Sequence, residues 1–404
     1  MIKVTQSELS GAIAVINGFA KSPSGSSSNP ALKYVTLQTS SDGKFLTMSA
    51  WDSIKGARWK IPLSGGNELP LSAIAASDLR DFVVRLPEGG ELELKIVANG
   101  LRVKMGKSFR VFPCLPEADM NLMPSLDSEE VSATIFPDEL IRASDQCFCY
   151  SDIEGDLLAG ALLEWNKAGS RFTAIASNRS VTVLSEVECN VLGDARVILP
   201  GDSLKAIAAT LKKQPKAIAI KVRLNSASIQ LDIFSAVDDG ELLSTLYSRV
   251  LTGNFPAVED VRNKCRSFIE EEVLVYGAGL IEGLERILLA VKQGRGYAEF
   301  HFSENTLLIN APATQDGAAE ESITIKPNPR YDASGKEIEA GRDATSKPIS
   351  RVFNVKFLLE TLKTITSKDV IIGLCAESMP AFLSPASEVK CEYLVMPINV
   401  PTAK

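Results

Sequence analysis

The stretch Leu79-Arg80-Asp81-Phe82-Val83-Val84-Arg85-Leu86 sets a helical pattern that returns at residues 204–211 and 355–362. Each copy has apolar residues at positions i, i+3, i+4 and i+7, which is the spacing of the buried side of an amphipathic helix. Each copy also has a basic residue at i+1, outside the apolar side: Arg80, Lys205 and Lys356. The spacing between copies is that of whole domains rather than of short solenoid repeats. The pattern therefore predicts three repeated domains, each with a cation in an equivalent position.

An earlier helix precedes this pattern in each repeat. It begins close to Leu9, Leu140 and Leu280. Between the two helices, alternating apolar residues and turn residues predict antiparallel strands, as in Tyr34–Thr39 and Phe45–Met48. Each repeat thus consists of a helix, strands, a second helix and further strands. This order predicts an α+β fold in which two helices pack on one face of antiparallel sheet.

Polar segments mark the limits of these domains. Residues 123–131 and 260–272 are rich in polar side chains and are predicted to be linkers. The expected domains are residues 1–126, 127–262 and 263–404. Within the third domain, residues 327–350 contain Pro327-Asn328-Pro329 and little apolar content, which predicts a loop insertion.

The composition is that of a soluble protein with enough apolar residues for three cores. Of the 404 residues, 45% are hydrophobic, and the formal net charge is −7. No apolar run reaches the roughly 18 residues that span a bilayer, and no signal-peptide pattern opens the sequence, so a cytoplasmic location is expected. Seven scattered cysteines favour reduced thiols over a disulfide framework. The negative charge does not exclude nucleic-acid binding, because a local basic lining can coexist with an acidic exterior.

The residue types that carry catalysis or bind metals are sparse. The single histidine, His301, has no nucleophile motif beside it, so a structural or surface role is favoured. Cys147 and Cys149 lack the second Cys/His pair that would complete a zinc site. No phosphate-binding Gly-x-x-x-x-Gly-Lys-Ser/Thr loop occurs. We therefore expect no catalytic residues, no metal and no cofactor, and a binding scaffold rather than an enzyme.

One glycine-rich turn leaves an alternative open. Gly277-Ala278-Gly279-Leu280-Ile281-Glu282-Gly283 follows the apolar segment 273–276, and a strand, a glycine turn and a helix are what a dinucleotide site uses. The third glycine comes one residue late for that motif, and no long parallel βαβ series follows. The favoured interpretation is a tight strand-to-helix turn, with a nucleotide-binding enzyme as the alternative.

Basic residues recur in and beside the predicted helices. Any one of them alone would be interpreted as part of a solvated surface, but their recurrence at equivalent positions favours a shared function. The candidate DNA-facing residues are Arg80, Lys205, Lys212, Arg286, Lys356 and Lys363. Because aromatic residues are not interleaved with them, they suit the phosphates of duplex DNA better than stacking on single strands.

Several segments carry a family resemblance. The clearest are Leu251-Thr252-Gly253-Asn254-Phe255-Pro256, Phe353-Asn354-Val355-Lys356-Phe357-Leu358-Leu359 and Tyr393-Leu394-Val395-Met396-Pro397-Ile398-Asn399-Val400. With these segments in this order and three repeated domains, the chain resembles the bacterial sliding clamp, the β subunit of DNA polymerase III. The resemblance spans essentially the full length.

This resemblance implies a head-to-tail homodimer that forms a ring of six domains, with helices on the inner wall and continuous sheet outside. Duplex DNA would pass through the ring without sequence readout, so that the replicative polymerase stays tethered as it moves. Polymerases, the clamp loader and repair proteins would dock through a short peptide motif. The ring itself would be a non-catalytic processivity factor.

Two sets of residues follow from the resemblance. The partner-peptide pocket would be formed by Leu158, Ser177, Thr182, Pro256, Val261, Phe357, Pro380, Leu394, Met396, Pro397 and Ile398. The dimer interface would bring Phe109 and Val111 of one protomer against Leu289 and Ala290 of the other.

The sequence departs from the family pattern beside the expected pocket. Where clamps usually carry Ala-Thr-Asp-Gly-His-Arg-Leu, this chain has Ala176-Ser177-Asn178-Arg179-Ser180-Val181-Thr182. A clamp-like paralogue with a non-replicative partner is therefore a second alternative.

Overall fold

A computed structural model describes the chain in segments that cover most of its length. The described residues are 1–21, 29–126, 128, 131–148, 157–238, 240–291, 296–314, 317–331, 337–338, 343–376, 378–387 and 390–398. Within them the helices are α1 (Gln6–Ile16), α2 (Ala76–Val83), α3 (Pro137–Phe148), α4 (Gly201–Leu211), α5 (Val258–Arg266), α6 (Gly277–Val291) and α7 (Val355–Thr364). None of the helices in these segments has the length and apolar character that a membrane crossing requires.

Antiparallel strands make up most of the remaining structure. The first strands are β1 (Ile2–Thr5), β2 (Tyr34–Thr39), β3 (Phe45–Trp51), β4 (Lys55–Pro62), β5 (Gly65–Gly66), β6 (Ser72–Ala75), β7 (Glu91–Val97), β8 (Gly100–Met105) and β9 (Ser108–Phe112). The middle strands are β10 (Val131–Ile135), β11 (Gly160–Asn166), β12 (Arg171–Ser177), β13 (Val181–Glu188), β14 (Asn190–Val191), β15 (Ala195–Pro200), β16 (Ala219–Leu224), β17 (Ser228–Phe234) and β18 (Leu242–Arg249). The last strands are β19 (Ile269–Tyr276), β20 (Tyr297–Ser303), β21 (Thr306–Thr314), β22 (Gly317–Pro327), β23 (Arg330–Tyr331), β24 (Glu337–Ile338), β25 (Ile349–Asn354), β26 (Asp369–Cys375), β27 (Ala381–Pro385) and β28 (Cys391–Val395).

Both predicted helices are present in each repeat: α1 and α2, α3 and α4, and α6 and α7. Helix α1 packs against α2, and α6 against α7. The apolar positions of the repeated pattern are buried at Leu79, Leu204 and Leu358, whereas Phe82 and Leu86 of the first copy are half-buried. The expected α+β fold, with two helices and antiparallel strands in each repeat, is confirmed.

Each repeat has the same order of elements. Three long strands follow the first helix: β2–β4 after α1, β11–β13 after α3, and β20–β22 after α6. Three more follow the second helix: β7–β9 after α2, β16–β18 after α4, and β26–β28 after α7. The third strands β4, β13 and β22 are therefore equivalent, as are the last strands β9, β18 and β28.

The chain divides into two compact units rather than three. One unit comprises Met1–Ser144, Glu164–Phe172 and Glu188–Thr252, and the other Asp145–Leu163, Thr173–Val187 and Gly253–Lys404. Strands β11 and β12 pass through this division. The three-domain boundaries at 126/127 and 262/263 stay a prediction.

The first unit contains two sheets. One has five strands in the order β5-β1-β7-β8-β9, and the other nine in the order β14-β10-β16-β17-β18-β4-β3-β2-β6. In the second of these, β4 of the first repeat pairs with β18 of the second repeat, with Leu246 opposite Ala57. Trp51 and Tyr247 pack edge to face across this junction, with ring centroids 5.3 Å apart. Two repeats thus share one continuous sheet.

A segment after the first repeat is hydrogen-bonded to that shared sheet. The Asn121 side chain donates to the carbonyl of Trp51 at 2.8 Å. The backbone N–H of Leu126 donates to Gln230 at 3.0 Å, and Gln230 in turn donates to the buried carboxylate of Asp232 at 2.9 Å. Within the predicted linker at 123–131, the carbonyl of Met123 accepts a hydrogen bond from Arg58 of β4 at 3.4 Å. The linker is therefore bonded to the sheet on both sides of the junction between β4 and β18.

The second unit contains the strand order β13-β28-β27-β26-β19-β22-β21-β20-β25. Here β13 pairs with β28, with Thr182 opposite Leu394 and Leu184 opposite Glu392. The helices α6 and α7 pack together on this sheet. The pairing of β13 with β28 is the equivalent of the pairing of β4 with β18.

The predicted linker at 260–272 is wrong in part, because helix α5 and the start of β19 occupy it. The helix lies against β13 and β28, where Arg262 pairs with Glu392 at 2.9 Å and with Glu186 at 3.9 Å. Arg266 also pairs with Glu392, at 2.9 Å. Long-range ion pairs thus hold a helix where the local sequence favours a linker.

The predicted insertion at 327–350 is described only in part. Its described residues contain the short pair of strands β23 and β24. Both ends of the insertion contact the acidic start of β19: Asn328 donates to Glu272 at 3.2 Å, and Lys347 pairs with Glu270 at 2.8 Å. The backbone N–H of Ser346 donates to the buried carboxylate of Glu271 at 3.1 Å. These contacts hold both ends of the insertion against β19 of the third repeat.

Candidate DNA-facing and partner-binding sites

The three repeated cations lie on the exposed side of their helices. Arg80, Lys205 and Lys356 are all exposed, whereas the residue directly before each of them, Leu79, Leu204 or Val355, is buried. The guanidinium of Arg80 bonds to neighbouring Asp81 through two nitrogens, at 3.0 and 2.8 Å. Lys356 lies 3.8 Å from Glu360, one turn further along α7. These are surface ion pairs, which contribute little to stability and leave the cations open to solvent.

The other candidate cations are exposed as well. Lys212 directly follows the end of α4. Lys363 of α7 pairs with Glu285 of α6 at 2.7 Å, so it joins the two helices of the third repeat. Arg286 forms two hydrogen bonds to Glu321 on β22, at 2.6 and 2.9 Å. These bonds raise the pKa of Arg286 and lower that of Glu321, which keeps both groups charged.

Part of the expected peptide pocket forms where β13, β28 and β27 lie side by side. Leu394 lies between Thr182 on β13 and Phe382 on β27. The chain then continues past β28, and the N–H of Met396 donates to the carbonyl of Ser180 at 2.8 Å. Met396 is 43% exposed although it directly follows a buried strand. An exposed methionine beside buried strands is suited to contact an apolar partner.

The altered segment at 176–182 forms a tight turn beside Met396. Asn178 accepts hydrogen bonds from the N–H groups of Ser180 and Val181, at 3.1 and 2.8 Å, and so closes the turn. Arg179 has φ of +72°, a left-handed conformation in which glycine is more common. The hydroxyls of Ser177 and Thr182 are 2.8 Å apart, so the turn places a polar pair at the pocket. The glycine of the usual family pattern is therefore replaced without losing the turn.

Backbone contacts bring further predicted residues to this region. The N–H of Ile398 donates to the carbonyl of Val352 at 2.8 Å, next to the start of α7. Phe357 lies in the first turn of α7, where its N–H donates to the capping side chain of Asn354 at 3.1 Å. Pro397 lies between Met396 and Ile398, and the buried Pro380 directly precedes β27.

Three pocket residues are positioned by other segments. Pro256 and Val261 are exposed, and Val261 adjoins Arg262, whose ion pairs hold α5 against β13 and β28. Leu158 is buried on the short helix Leu157–Ala159. Its contact with the groove stays a prediction. We call the region around Thr182, Leu394, Met396 and Val261 the apolar groove.

The predicted dimer residues lie on two exposed elements. Phe109 is 61% exposed and Val111 is half-buried on β9, the last strand of the five-stranded sheet. Leu289 is 75% exposed on α6, and the neighbouring Ala290 is half-buried. Large exposed apolar side chains of this kind often mark interaction sites when they lie together.

The sequence-based search missed the ion-pair cluster formed by Arg262, Arg266 and Glu392. The i and i+4 spacing of the two arginines would place them on one side of a helix, and this was the signal in the sequence that could have indicated the cluster. Their acidic partner, Glu392, lies 126 positions beyond Arg266, so the local sequence could not identify it.

The nucleotide-site alternative at Gly277 is wrong. The strand before the turn, β19, pairs antiparallel with both β22 and β26, so the parallel βαβ unit of a dinucleotide site is not formed. A Cβ atom at position 277 would lie 3.3 Å from the carbonyl oxygen of Lys368. This close packing explains why a glycine occupies the position. On β20, the partly exposed ring of His301 lies 2.8 Å from the Ser350 hydroxyl, within hydrogen-bonding distance. Cys149 lies outside the described residues, and among those described no group of three or more metal-binding side chains is arranged for an ion.

Comparison with known proteins supports the same architecture. The family model for the C-terminal domain of the DNA polymerase III beta subunit matches residues 269–399. The beta sliding clamp of Synechococcus elongatus is 26% identical over 389 residues, covering 92% of each chain. That of Escherichia coli is 24% identical and covers 84% of this chain and 85% of its own length.

Solved structures agree in fold. The DNA polymerase sliding clamp of Pseudomonas aeruginosa superimposes with a TM-score of 0.81 at 20% identity, and 99% of each chain is covered. The DNA polymerase III beta subunit of Thermotoga maritima superimposes with a TM-score of 0.80 at 17% identity, again over 99% of each chain. The paired helices on antiparallel sheet therefore define a DNA-clamp fold.

These matches support a divergent bacterial β sliding clamp: residues 269–399 match the C-terminal domain of the DNA polymerase III beta subunit, and most of the chain is similar to beta sliding clamps, which are non-catalytic subunits.

Proposed function

We propose that two copies of this chain close into a ring around duplex DNA in the bacterial cytoplasm and tether the replicative polymerase. The observation that carries the proposal is the strand pairing that occurs at two equivalent places. In each case the third strand of one repeat pairs with the last strand of the next, β4 with β18 and β13 with β28. A repeated head-to-tail contact of this kind gives a ring when its rotation closes.

Two strands are left to continue the series. Among the described residues, β9 pairs only with β8, and the part of β22 around Glu320 and Glu321 pairs only with β21. Strand β9 is the last strand of the first repeat, and β22 is the third strand of the third repeat. Pairing of β22 in one protomer with β9 in the other would repeat the intrachain contact at both ends of a dimer. It would also cover two strand edges that otherwise invite aggregation.

Charge and apolar surface at the two edges support the same contact. The β9 edge carries Arg110 and is preceded by Lys107, whereas the β22 edge carries Glu320 and Glu321. Opposite charges favour this pairing over the pairing of like edges. Helix α6, which packs on β22, would bring Leu289 to the exposed Phe109. The contact then combines strand pairing with an apolar centre.

Duplex DNA would contact the exposed side of the helices. Phosphate attraction from Arg80, Lys205 and Lys356 is independent of sequence, which suits a ring that must pass over every base pair. Arg80 and Lys356 already have an acidic neighbour, so a phosphate would exchange one ion pair for another. Such an exchange favours contacts that are individually weak and compatible with sliding.

The apolar groove would bind a short peptide from the polymerase, the clamp loader and repair proteins. A few apolar anchors of a peptide can be held by a groove of this kind. The hydroxyl pair of Ser177 and Thr182 makes one wall of it polar. This polar wall is the observation that keeps a clamp-like paralogue with a different partner as the second candidate function. Binding of peptides of the Gln-x-x-Leu-Phe type would distinguish a replicative clamp from such a paralogue.

A topological experiment tests the proposed ring. The protein, loaded on nicked circular plasmid by the clamp loader of its own organism, should remain with the plasmid through gel filtration. Cutting the plasmid once should release it within minutes, because a ring slides off a free end. Biotin–streptavidin blocks at both ends should restore retention. Retention on cut plasmid with free ends would show ordinary binding and overturn the proposed ring.

Replacing Arg80, Lys205 and Lys356 together with Glu should weaken retention on circular DNA without affecting dimerisation. Each lost phosphate contact should reduce the slope of log affinity against log salt by about 0.9. The matched control replaces Lys44, Lys167 and Lys221, three exposed lysines outside the α-helices, with Glu and changes the net charge equally. Equal salt slopes for the two triple variants would show that the helix cations do not face DNA.

A further inference from the structure

We infer that a polar cleft beside the apolar groove binds an acidic side chain that flanks the apolar anchors of partner peptides. The inference rests on the proposed peptide-binding function and adds a charge requirement to it. The cleft lies within the second unit, between α5 and the strands β13 and β28. Its lining is Leu184, Glu186, Arg262, Arg266, Lys390 and Glu392, with Ser384 and Cys391.

The cleft is continuous with the apolar groove along both strands. On β28, Leu394 belongs to the groove and Glu392 to the cleft, and on β13 the same holds for Thr182 and Leu184. Alternate residues of a strand point to one face and are about 6.8 Å apart, so groove and cleft are one residue pair apart on the same face. A bound peptide of a few residues is long enough to reach both.

The open charge in the cleft is positive. The carboxylate of Glu392 is 15% exposed and is covered by two guanidiniums, those of Arg262 and Arg266. Glu186, 22% exposed, lies 3.9 Å from Arg262, which is itself 20% exposed. Arg266 is 55% exposed and donates a hydrogen bond to Glu392 at 2.9 Å. A ligand therefore meets the guanidinium of Arg266 before it meets either carboxylate.

Arg266 has donors to spare for a second carboxylate. A guanidinium carries five N–H donors in a planar fork that fits a carboxylate. The lining contains three cations, Arg262, Arg266 and Lys390, and two carboxylates, Glu186 and Glu392, so one positive charge is in excess. An acidic side chain from a peptide would restore the balance.

The charges along α5 also give the peptide a direction. Glu259 and Asp260 lie in the first turn of the helix, next to Val261 of the groove, whereas Lys264 and Arg266 lie in its last turn. From Glu259 to Arg266 the helix rises about 10 Å. An acidic residue at the cleft end of the peptide is attracted, and one at the groove end meets like charge. Acidic residues should therefore strengthen binding from one flank only.

Three synthetic peptides test this inference by fluorescence anisotropy on the full-length protein. Each contains Gln-Ala-Ser-Leu-Phe, with three glutamates before it, three glutamates after it, or three serines on both sides. One of the two acidic peptides should bind about threefold to tenfold more tightly than the serine peptide at low salt. The gain should disappear at 0.5 M NaCl, because exposed charges are screened there.

The variants Arg266→Glu and Arg266→Gln should remove the gain while leaving affinity for the serine peptide unchanged. Lys264→Glu is the matched control, since it reverses an exposed charge on the same helix outside the cleft. It should keep most of the gain. Equal binding of all three peptides to the wild type, or an equal loss in the Lys264 variant, would overturn the acidic-residue inference while the groove itself stands. Failure of even the serine peptide to bind would overturn the proposed groove, and the inference with it.

Discussion

Leu289→Asp should convert the protein from a dimer to a monomer. Leu289 is 75% exposed in the single chain, and the proposed contact would bury it against Phe109 of the other protomer. Burying an unpaired carboxylate is strongly unfavourable, and the loss of a leucine anchor adds to that cost. A closed dimer contains the contact twice, so a loss of about 2 kcal/mol at each place weakens association roughly a thousandfold.

Sedimentation equilibrium at micromolar concentration measures this change. The matched control is Leu192→Asp, because Leu192 is also exposed, at 63%, but lies outside the proposed contact. This control should remain dimeric. Both variants should remain folded, because neither leucine is buried in the single chain. A monomeric wild type, or a dimeric Leu289→Asp variant, would contradict the ring closure through β22 and β9.

The helices could be predicted because their signal is local. The apolar residues at i, i+3, i+4 and i+7 are all buried in the second and third repeats, those at i and i+4 are buried in the first, and the intervening cation is exposed in each. Strands such as Tyr34–Thr39 follow their alternation in the same way. Burial of apolar side chains at a fixed period is a property of a short segment, so one sequence suffices to detect it.

The parts that escaped prediction depend on residues far apart in the chain. Helix α5 is held by ion pairs to Glu392 and Glu186, and nothing near residue 262 indicates these partners. Similarly, the pairing of Thr182 with Leu394 joins segments that are separated by about half of the chain. The family resemblance suggested these pocket residues, but only the structure provided the strand register that brings them together.

The charge of the whole chain also differs from the charge that a ligand meets locally. The net value of −7 is compatible with exposed cations on the helices because acids occupy the neighbouring positions, as Asp81 does beside Arg80. At the cleft, burial decides the sign: Glu392 is covered and Arg266 is exposed. Local exposure, rather than composition, therefore determines which partner charge is attracted.

Met396→Ala combined with Pro397→Ala should strongly weaken the binding of polymerase peptides while leaving the fold intact. Met396 is 43% exposed and Pro397 is half-exposed, so neither side chain contributes much to the core. The backbone bond from Met396 to Ser180 does not depend on the side chain and should persist. Losing two walls of the groove should cost a peptide about 2 kcal/mol or more, which is roughly a thirtyfold loss of affinity.

The measurement combines peptide binding, melting temperature and processive synthesis with the cognate polymerase. Leu394 is the informative comparison, because it is buried between β13 and β27 and its truncation should lower stability as well as binding. In the Met396 and Pro397 variant the two effects separate: binding and processivity fall, but the melting temperature and the dimer remain. A variant that keeps its melting temperature and still supports processive synthesis would show that the polymerase binds elsewhere on the ring.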